Sequence, residues 1–310
     1  MEQHFEARRI LADERKVNVK MVVSRPESRP LSLSVSGMAV CAALYAIGSY
    51  LTAYIPSPLG VGQFRPAVII PAFFSVVFGP LPAGVGAALG TLIADSAKYG
   101  YLYPGSYLAA VPGNFIGFYL FGHITKRFTW GRFVLASDIT LTLANFIVAA
   151  LYVLVFKILY LGDPKYLAFS PQALVVYIIG LTIWWFVTML PFVLLVTPLL
   201  IKAIAQATPN LVPQDVREHS LKEEIPQGLF SLALLVPGFV MLAVGLSLTY
   251  TFLGNEMTRF FGAIIAAGVQ WMFLLSGVAL TALGLILTVR KRRASAHAIR
   301  SDTRTDAPKG

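Results

Sequence analysis

Apolar residues in this chain gather in long runs separated by short polar or Pro/Gly-rich breaks. The first run covers about Leu33 to Ile55 and stops at Pro56 and Pro58. A short one, about Pro66 to Phe78, meets the tight turn Gly79-Pro80-Leu81-Pro82. Four more cover about Ala83 to Ala97, Tyr107 to Thr125, Ser137 to Tyr160 and Gln172 to Ala205, the last with Pro191 and Pro198 inside it. After a polar stretch from Gln206 to Pro226, two further runs extend from Gly228 to Leu253 and from Phe260 to Val289. A run of about 20 apolar residues matches the thickness of a hydrocarbon core. A soluble helix instead carries an apolar stripe roughly 100° wide. The pattern therefore predicts eight membrane spans. The second run holds only about 13 residues, or about 20 Å of helix, too short to cross alone. The second and third runs are expected to form a Pro/Gly-broken hairpin inside a bundle, where short helices line cavities.

Composition agrees with the pattern. Hydrophobic residues make up 56% of the 310 and charged residues 13%, against roughly 25% charged in a soluble domain. Charge then orients the spans, because basic residues collect on the cytoplasmic side. With the N-terminus inside, 20 of the 25 basic residues fall in inner segments. The outer side receives Arg65, Lys98, Lys157, Lys165 and Arg259. The expectation is an all-α integral membrane protein of the cell membrane, multi-pass, with eight spans and both ends in the cytoplasm. The net charge of +10 then needs no nucleic acid to explain it. Residues 1–32 carry charges and no apolar h-region, so they read as a cytoplasmic lead-in. The expected divisions that follow are a six-span bundle (33–205), a cytoplasmic linker (206–226), two added spans (227–289) and a basic tail (290–310).

Catalytic signatures are missing. The single cysteine, Cys41, excludes an internal disulfide, and the four histidines lack metal-ligand spacing. No G-K dipeptide is present for a phosphate-cradling loop, and no H-E-x-x-H or G-x-S-x-G motif appears. The reading is therefore not an enzyme, with no metal and no cofactor. The informative residues lie at the predicted outer ends. Gln63 and Arg65 sit in the first outer loop, and Asp95, Lys98, Tyr99, Tyr101 and Tyr103 gather where the third run ends. Asn114 lies about two turns into the fourth run. Tyr152, Lys157 and Tyr160 fall in the outer half of the fifth, and Tyr177 near the outer end of the sixth. Such a set could stack a flat ring on tyrosines and anchor it by hydrogen bonds. An interfacial aromatic belt is the competing reading for Tyr101 and Tyr103. Asp95 either pairs with Arg65 or Lys98 or holds a substrate amine. Asn114 either bonds a neighbouring helix or faces the cavity. Of the mid-membrane pair Trp184 and Trp185, one is expected to floor the pocket, and Trp184 is placed in the site. Asn145 reads as structural, and Asp138, after Ser137 at a predicted helix start, reads as a cap.

The stretch Ala39–Gly100 carries a resemblance. An alanine-rich first helix is followed by GQFRPAVIIPAFFSVVFGP and then by the small-residue helix LPAGVGAALGTLIAD. The turn Gly79-Pro80-Leu81-Pro82-Ala83-Gly84, the glycines Gly86 and Gly90 and the terminal Asp95 resemble substrate-binding S components of energy-coupling factor (ECF) vitamin transporters. The likeness extends over about Leu33 to Ala205. It implies a vitamin pocket near the outer face, closed by the loop between the first two helices. It also implies partners: a transmembrane coupling (T) protein and two ATPase subunits that hydrolyse the ATP. Docking in that family uses small residues of the first helix, which here are Ala39 with Ala43 and Ala42 with Ala46. Small side chains at i and i+4 let helix backbones approach closely in lipid. The last two spans have no counterpart in the six-helix pattern.

Function thus reads as the membrane-embedded S component of an ATP-driven importer of a vitamin or vitamin-like micronutrient. The alternative is a self-contained secondary transporter of a small organic solute, with Asp95 as the coupling carboxylate. Arg65 and Lys98 hint at an anionic group and the tyrosines at a ring, which fits riboflavin, biotin, folate-like or queuosine-precursor ligands alike.

Overall fold

A computed structural model gives the architecture and describes residues 30–54, 57, 59, 61–219 and 227–305. Most of the charged lead-in, Pro56, Pro58, residues 220–226 of the linker and residues 306–310 lie outside that set. The described chain is built from helices. Helix α1 spans Leu31–Leu51, ending before the predicted Ile55. A 3-10 turn, Pro66–Val68, leads into α2, Ile69–Val77. Helix α3, Pro80–Tyr99, begins earlier than predicted, because the turn prolines form its first turn. Proline fits there, where its missing N–H would have no partner. The reversal itself rests on Gly79, whose φ of 95° lies in the region that favours glycine.

Helix α4, Val111–Ile124, continues a π-helical turn at Ser106–Ala110. Helix α5, Trp130–Ala150, runs on into a π-helical stretch, Leu151–Tyr160. Its start corrects the sequence reading. Thr129 is the N-cap, its hydroxyl accepting from the Arg132 N–H at 3.1 Å. Asp138 therefore sits two turns inside α5 and caps nothing. The charges of Lys126, Arg127 and Arg132 interrupt the apolar run before Ser137, yet a threonine cap is enough to open the helix two turns earlier. After a one-turn helix at Pro164–Leu167, α6 runs over Pro171–Ala207, opened by Ser170 as N-cap and Pro171 at its first position.

Helix α7, Gln227–Tyr250, and helix α8, Ala263–Thr305, follow, joined by a short helix, Phe252–Phe261. Among the described residues, five helical stretches are long and apolar enough to cross a membrane: Leu31–Leu51, Trp130–Tyr160, Pro171–Ala207, Ser231–Tyr250 and Ala266–Val289. The chain is an all-helical membrane protein. The remaining three predicted runs differ for physical reasons. Helix α2 has 9 residues and α4 has 14, while α3 dilutes its apolar content with glycines, Asp95 and Lys98.

Packing divides the described helices in two. In the first group α1 lies along α3, α3 against α4, α4 against α5 and α5 against α6, with α2 tucked among α3, α4 and α6. Close approach of α1 and α3 depends on Gly90, where a Cβ would sit 2.8 Å from the Ala42 carbonyl oxygen. In the second group α7 and α8 pack on each other, and α7 makes lesser contacts with α5 and α6. Gly277 there lets α8 approach the Leu242 backbone nitrogen, which a Cβ would meet at 2.8 Å. The segment after α6 is tied to the α4–α5 turn. The Asp215 carboxylate accepts from the Phe128 N–H at 3.3 Å, and Trp130 Nε1 donates to the His219 carbonyl at 3.2 Å.

Candidate functional site

The chain between α1 and α2 folds over one end of the first group of helices. It is pinned from two sides. From α6, the Tyr177 hydroxyl donates to the Leu59 carbonyl at 3.1 Å, and Trp185 Nε1 donates to the Gln63 carbonyl at 3.3 Å. From α3, the Lys98 ammonium donates to the Ala53 carbonyl at 2.6 Å and to Gln63 Oε1 at 3.1 Å. A connection that would otherwise be free surface loop thus becomes the roof of a cavity.

Beneath the roof lies a buried polar cluster. Asp95, on the last turns of α3, is 4% exposed, Gln63 7% and Arg65 8%. One carboxylate oxygen of Asp95 accepts from Gln63 Nε2 at 2.8 Å and from Arg65 Nη2, while Arg65 Nη1 donates to the Thr91 hydroxyl. A buried charge is tolerated when it is paired and hydrogen-bonded in this way. Burial alone would pull the guanidinium of Arg65 down, but the Asp95 charge and Tyr45 outweigh it. Arg65 is held above its ordinary value and stays charged. Its charge is matched by Asp95. Lys98 makes no ion pair among the described residues, and its ammonium lies 5.8 Å and 5.5 Å from the ring centroids of Tyr54 and Tyr99.

The far wall is aromatic. Tyr99 and Tyr103 stack with centroids 4.1 Å apart, and the Tyr103 and Tyr152 hydroxyls lie 3.1 Å apart. Burial, then Tyr152, pushes the Tyr103 phenol above its ordinary value, so it stays neutral. Both π-helical turns border this space: Ser106 and Ala110 come from one and Tyr152 from the other. A π-turn widens the helix and re-aims the side chains on it, and such turns recur at functional sites. The Ser106 Oγ is buried without a hydrogen-bond partner among the described residues. The cavity itself measures about 80 Å³, below the roughly 300–1,000 Å³ usual for small-molecule sites. A vitamin-sized ligand therefore requires the roof to move.

Of the residues singled out from sequence, Gln63, Arg65, Asp95, Lys98, Tyr99, Asn114 and Tyr152 line this one cavity. Asn114 also donates to the Ala110 carbonyl of its own helix at 2.9 Å. Two lie elsewhere. Tyr177 holds the roof through Leu59 and does not line the cavity. Trp184 is buried off the cavity with its Nε1 unpartnered among the described residues, and Trp185 occupies the wall instead. Adjacent residues point about 100° apart on a helix, so periodicity alone could not choose between them. Tyr101 is exposed, while Lys157 pairs with Asp163 at 3.3 Å, outside the cavity. Sequence reasoning missed Tyr45, Ser106 and Met189, and assigned Asn145 to packing, although all four line the cavity. Tyr45 was findable, since it lies one helical turn after Cys41 on the buried face of α1.

The small-residue pairs of α1 separate as well. Ala42 and Ala46 are buried, Ala42 against Gly90 of α3, whereas Ala39 and Ala43 are exposed. The contacts of α7 lie on α5 and α6, and among the described residues Ala39 and Ala43 on the outward face of α1 stay uncovered.

Comparison with known proteins gives one match. Residues 32–206 fit a family model described as ECF-type riboflavin transporter, S component. That is more than half of the chain, and it covers α1 to α6. No curated protein and no solved structure matches.

Proposed function

Because the chain belongs to the family of ECF-type riboflavin transporter S components, we propose that it captures riboflavin, or a vitamin of similar shape, in the cavity under the α1–α2 connection. The observation that carries this reading is the buried Gln63–Asp95–Arg65 cluster joined to Lys98, set against a tyrosine wall. In it Asp95 orders Arg65 and Gln63, Lys98 presents the unmatched positive charge, and Tyr99, Tyr103 and Tyr152 supply ring faces. Asn114 and Asn145 supply hydrogen bonds. Tyr177 and Trp185 latch the roof.

The proposed topology has eight crossings with both ends in the cytoplasm, which puts the cavity on the outer side. Transport would need a coupling protein and two ATPase subunits, met through the exposed Ala39 and Ala43. The hairpin α7–α8 sits on the α5–α6 side, an arrangement that supports docking at α1. The test pairs binding with transport. Purified protein in lipid nanodiscs should quench riboflavin fluorescence saturably, and uptake in vesicles should require the coupling and ATPase subunits. Uptake by this chain alone, abolished by Asp95→Asn, would replace this reading with a secondary transporter.

A further inference from the structure

Asp138 is the ninth residue of α5, about 12 Å along that helix at 1.5 Å per residue. It lines a second, partly open cavity, about 480 Å³ in volume, formed between α5, α6 and α7. That volume falls within the roughly 300–1,000 Å³ of small-molecule sites. The Asp138 Oδ1 is buried with no hydrogen-bond partner among the described residues. An ionisable group at this depth in a membrane helix is costly unless something pairs with it.

The hairpin covers Asp138 without pairing it. Helix α7 brings Leu232, Ala233, Val236, Pro237 and Val240 to the wall, all without a side-chain donor. Pro237 has no N–H, so the Ala233 carbonyl one turn earlier loses its helical donor as well. From α6 the polar contribution is Thr182, whose hydroxyl already donates to the Ile178 carbonyl at 2.8 Å. Among the described residues no lysine, arginine or histidine lines the space. Besides Thr182, the polar side chain on the wall is Thr142, one turn along α5 from Asp138, and the rest of the lining is apolar.

We propose that this cavity binds a hydrophobic amine, its ammonium set against the Asp138 carboxylate and its apolar part between α6 and α7. The chemistry follows from the two needs of the site: a cationic donor for Asp138 and apolar surface to fill the volume. It is a ligand site separate from the one under the α1–α2 connection and does not rest on the vitamin reading.

The test uses the full chain in nanodiscs, with dodecylamine as probe and dodecanol as its neutral counterpart, read by native mass spectrometry. Dodecylamine should bind at least tenfold more tightly than dodecanol. Asp138→Asn should bring the two within about twofold, and Val236→Trp, which fills the cavity but keeps the carboxylate, should weaken both. Equal binding of the two probes by the unaltered chain would overturn the proposal, as would a preference that survives Asp138→Asn. Should Asp138→Asn fail to fold, Val236→Trp decides: unchanged dodecylamine binding in that variant places the amine elsewhere and overturns it.

Discussion

Two tight helix pairs in this chain are built by the same device and end up with different content. Helices α1 and α3 approach over Gly86 and Gly90, and helices α7 and α8 over Gly238, Gly245, Gly277 and Gly284. In lipid such packing drives helix association where hydrophobicity cannot. Around the first pair the interior is also polar, with Gln63, Arg65, Thr91 and Asp95 in one network. Irregular backbone surrounds it, in the broken α2–α3 hairpin and two π-turns. Around the second pair the buried polar side chains reduce to Ser231 and Thr281 among the described residues. Close packing makes a helix pair; the cavity beside the first pair differs by its paired buried charges and by backbone that departs from the regular helix.

Substitutions can break that contrast in order of severity. Asp95→Ala leaves the buried Arg65 without its carboxylate and should cost about 3–5 kcal/mol of stability. Thermal unfolding in detergent reads that loss, and riboflavin binding should vanish with it. Gly90→Ala drives a methyl into the Ala42 backbone and the Tyr45 ring, costing about 2–3 kcal/mol by overpacking. Riboflavin affinity should fall too, because Tyr45 lines the cavity. Gly245→Ala meets mainly the Leu274 side chain, at 2.9 Å, which can turn aside, so about 1–2 kcal/mol is expected. Riboflavin affinity should there stay unchanged, and a matching loss would show that hairpin and bundle are energetically one. Tyr177→Phe removes a single hydrogen bond to the roof, worth about 1 kcal/mol. Faster riboflavin release in stopped-flow, with little change in melting temperature, is the outcome that sharpens the comparison.

The fold was largely readable from the apolar runs, since each of the eight runs became a helix. What they could not give was the start of α5, because Thr129 opens it between Arg127 and Arg132, where charge interrupts the apolar run. Residues of the site were readable where chemistry stands out from an apolar background, as for Gln63, Arg65, Asp95 and Lys98. Those that depend on helix phase were not, Trp185 against Trp184 being the clearest case. Ser106 depends on a π-helical segment, which shifts the side-chain phase relative to an α-helix and leaves no mark in composition.

The pinned roof has a kinetic consequence. With Leu59, Gln63 and Ala53 each held by a hydrogen bond from α3 or α6, a ligand cannot diffuse straight into so small a space. Opening precedes capture, so the observed association rate should climb with riboflavin concentration and then level off. The plateau is the rate constant for unlatching. At low riboflavin concentration capture would then follow the fraction of time the roof stands open, and the unlatching rate would limit it only near saturation.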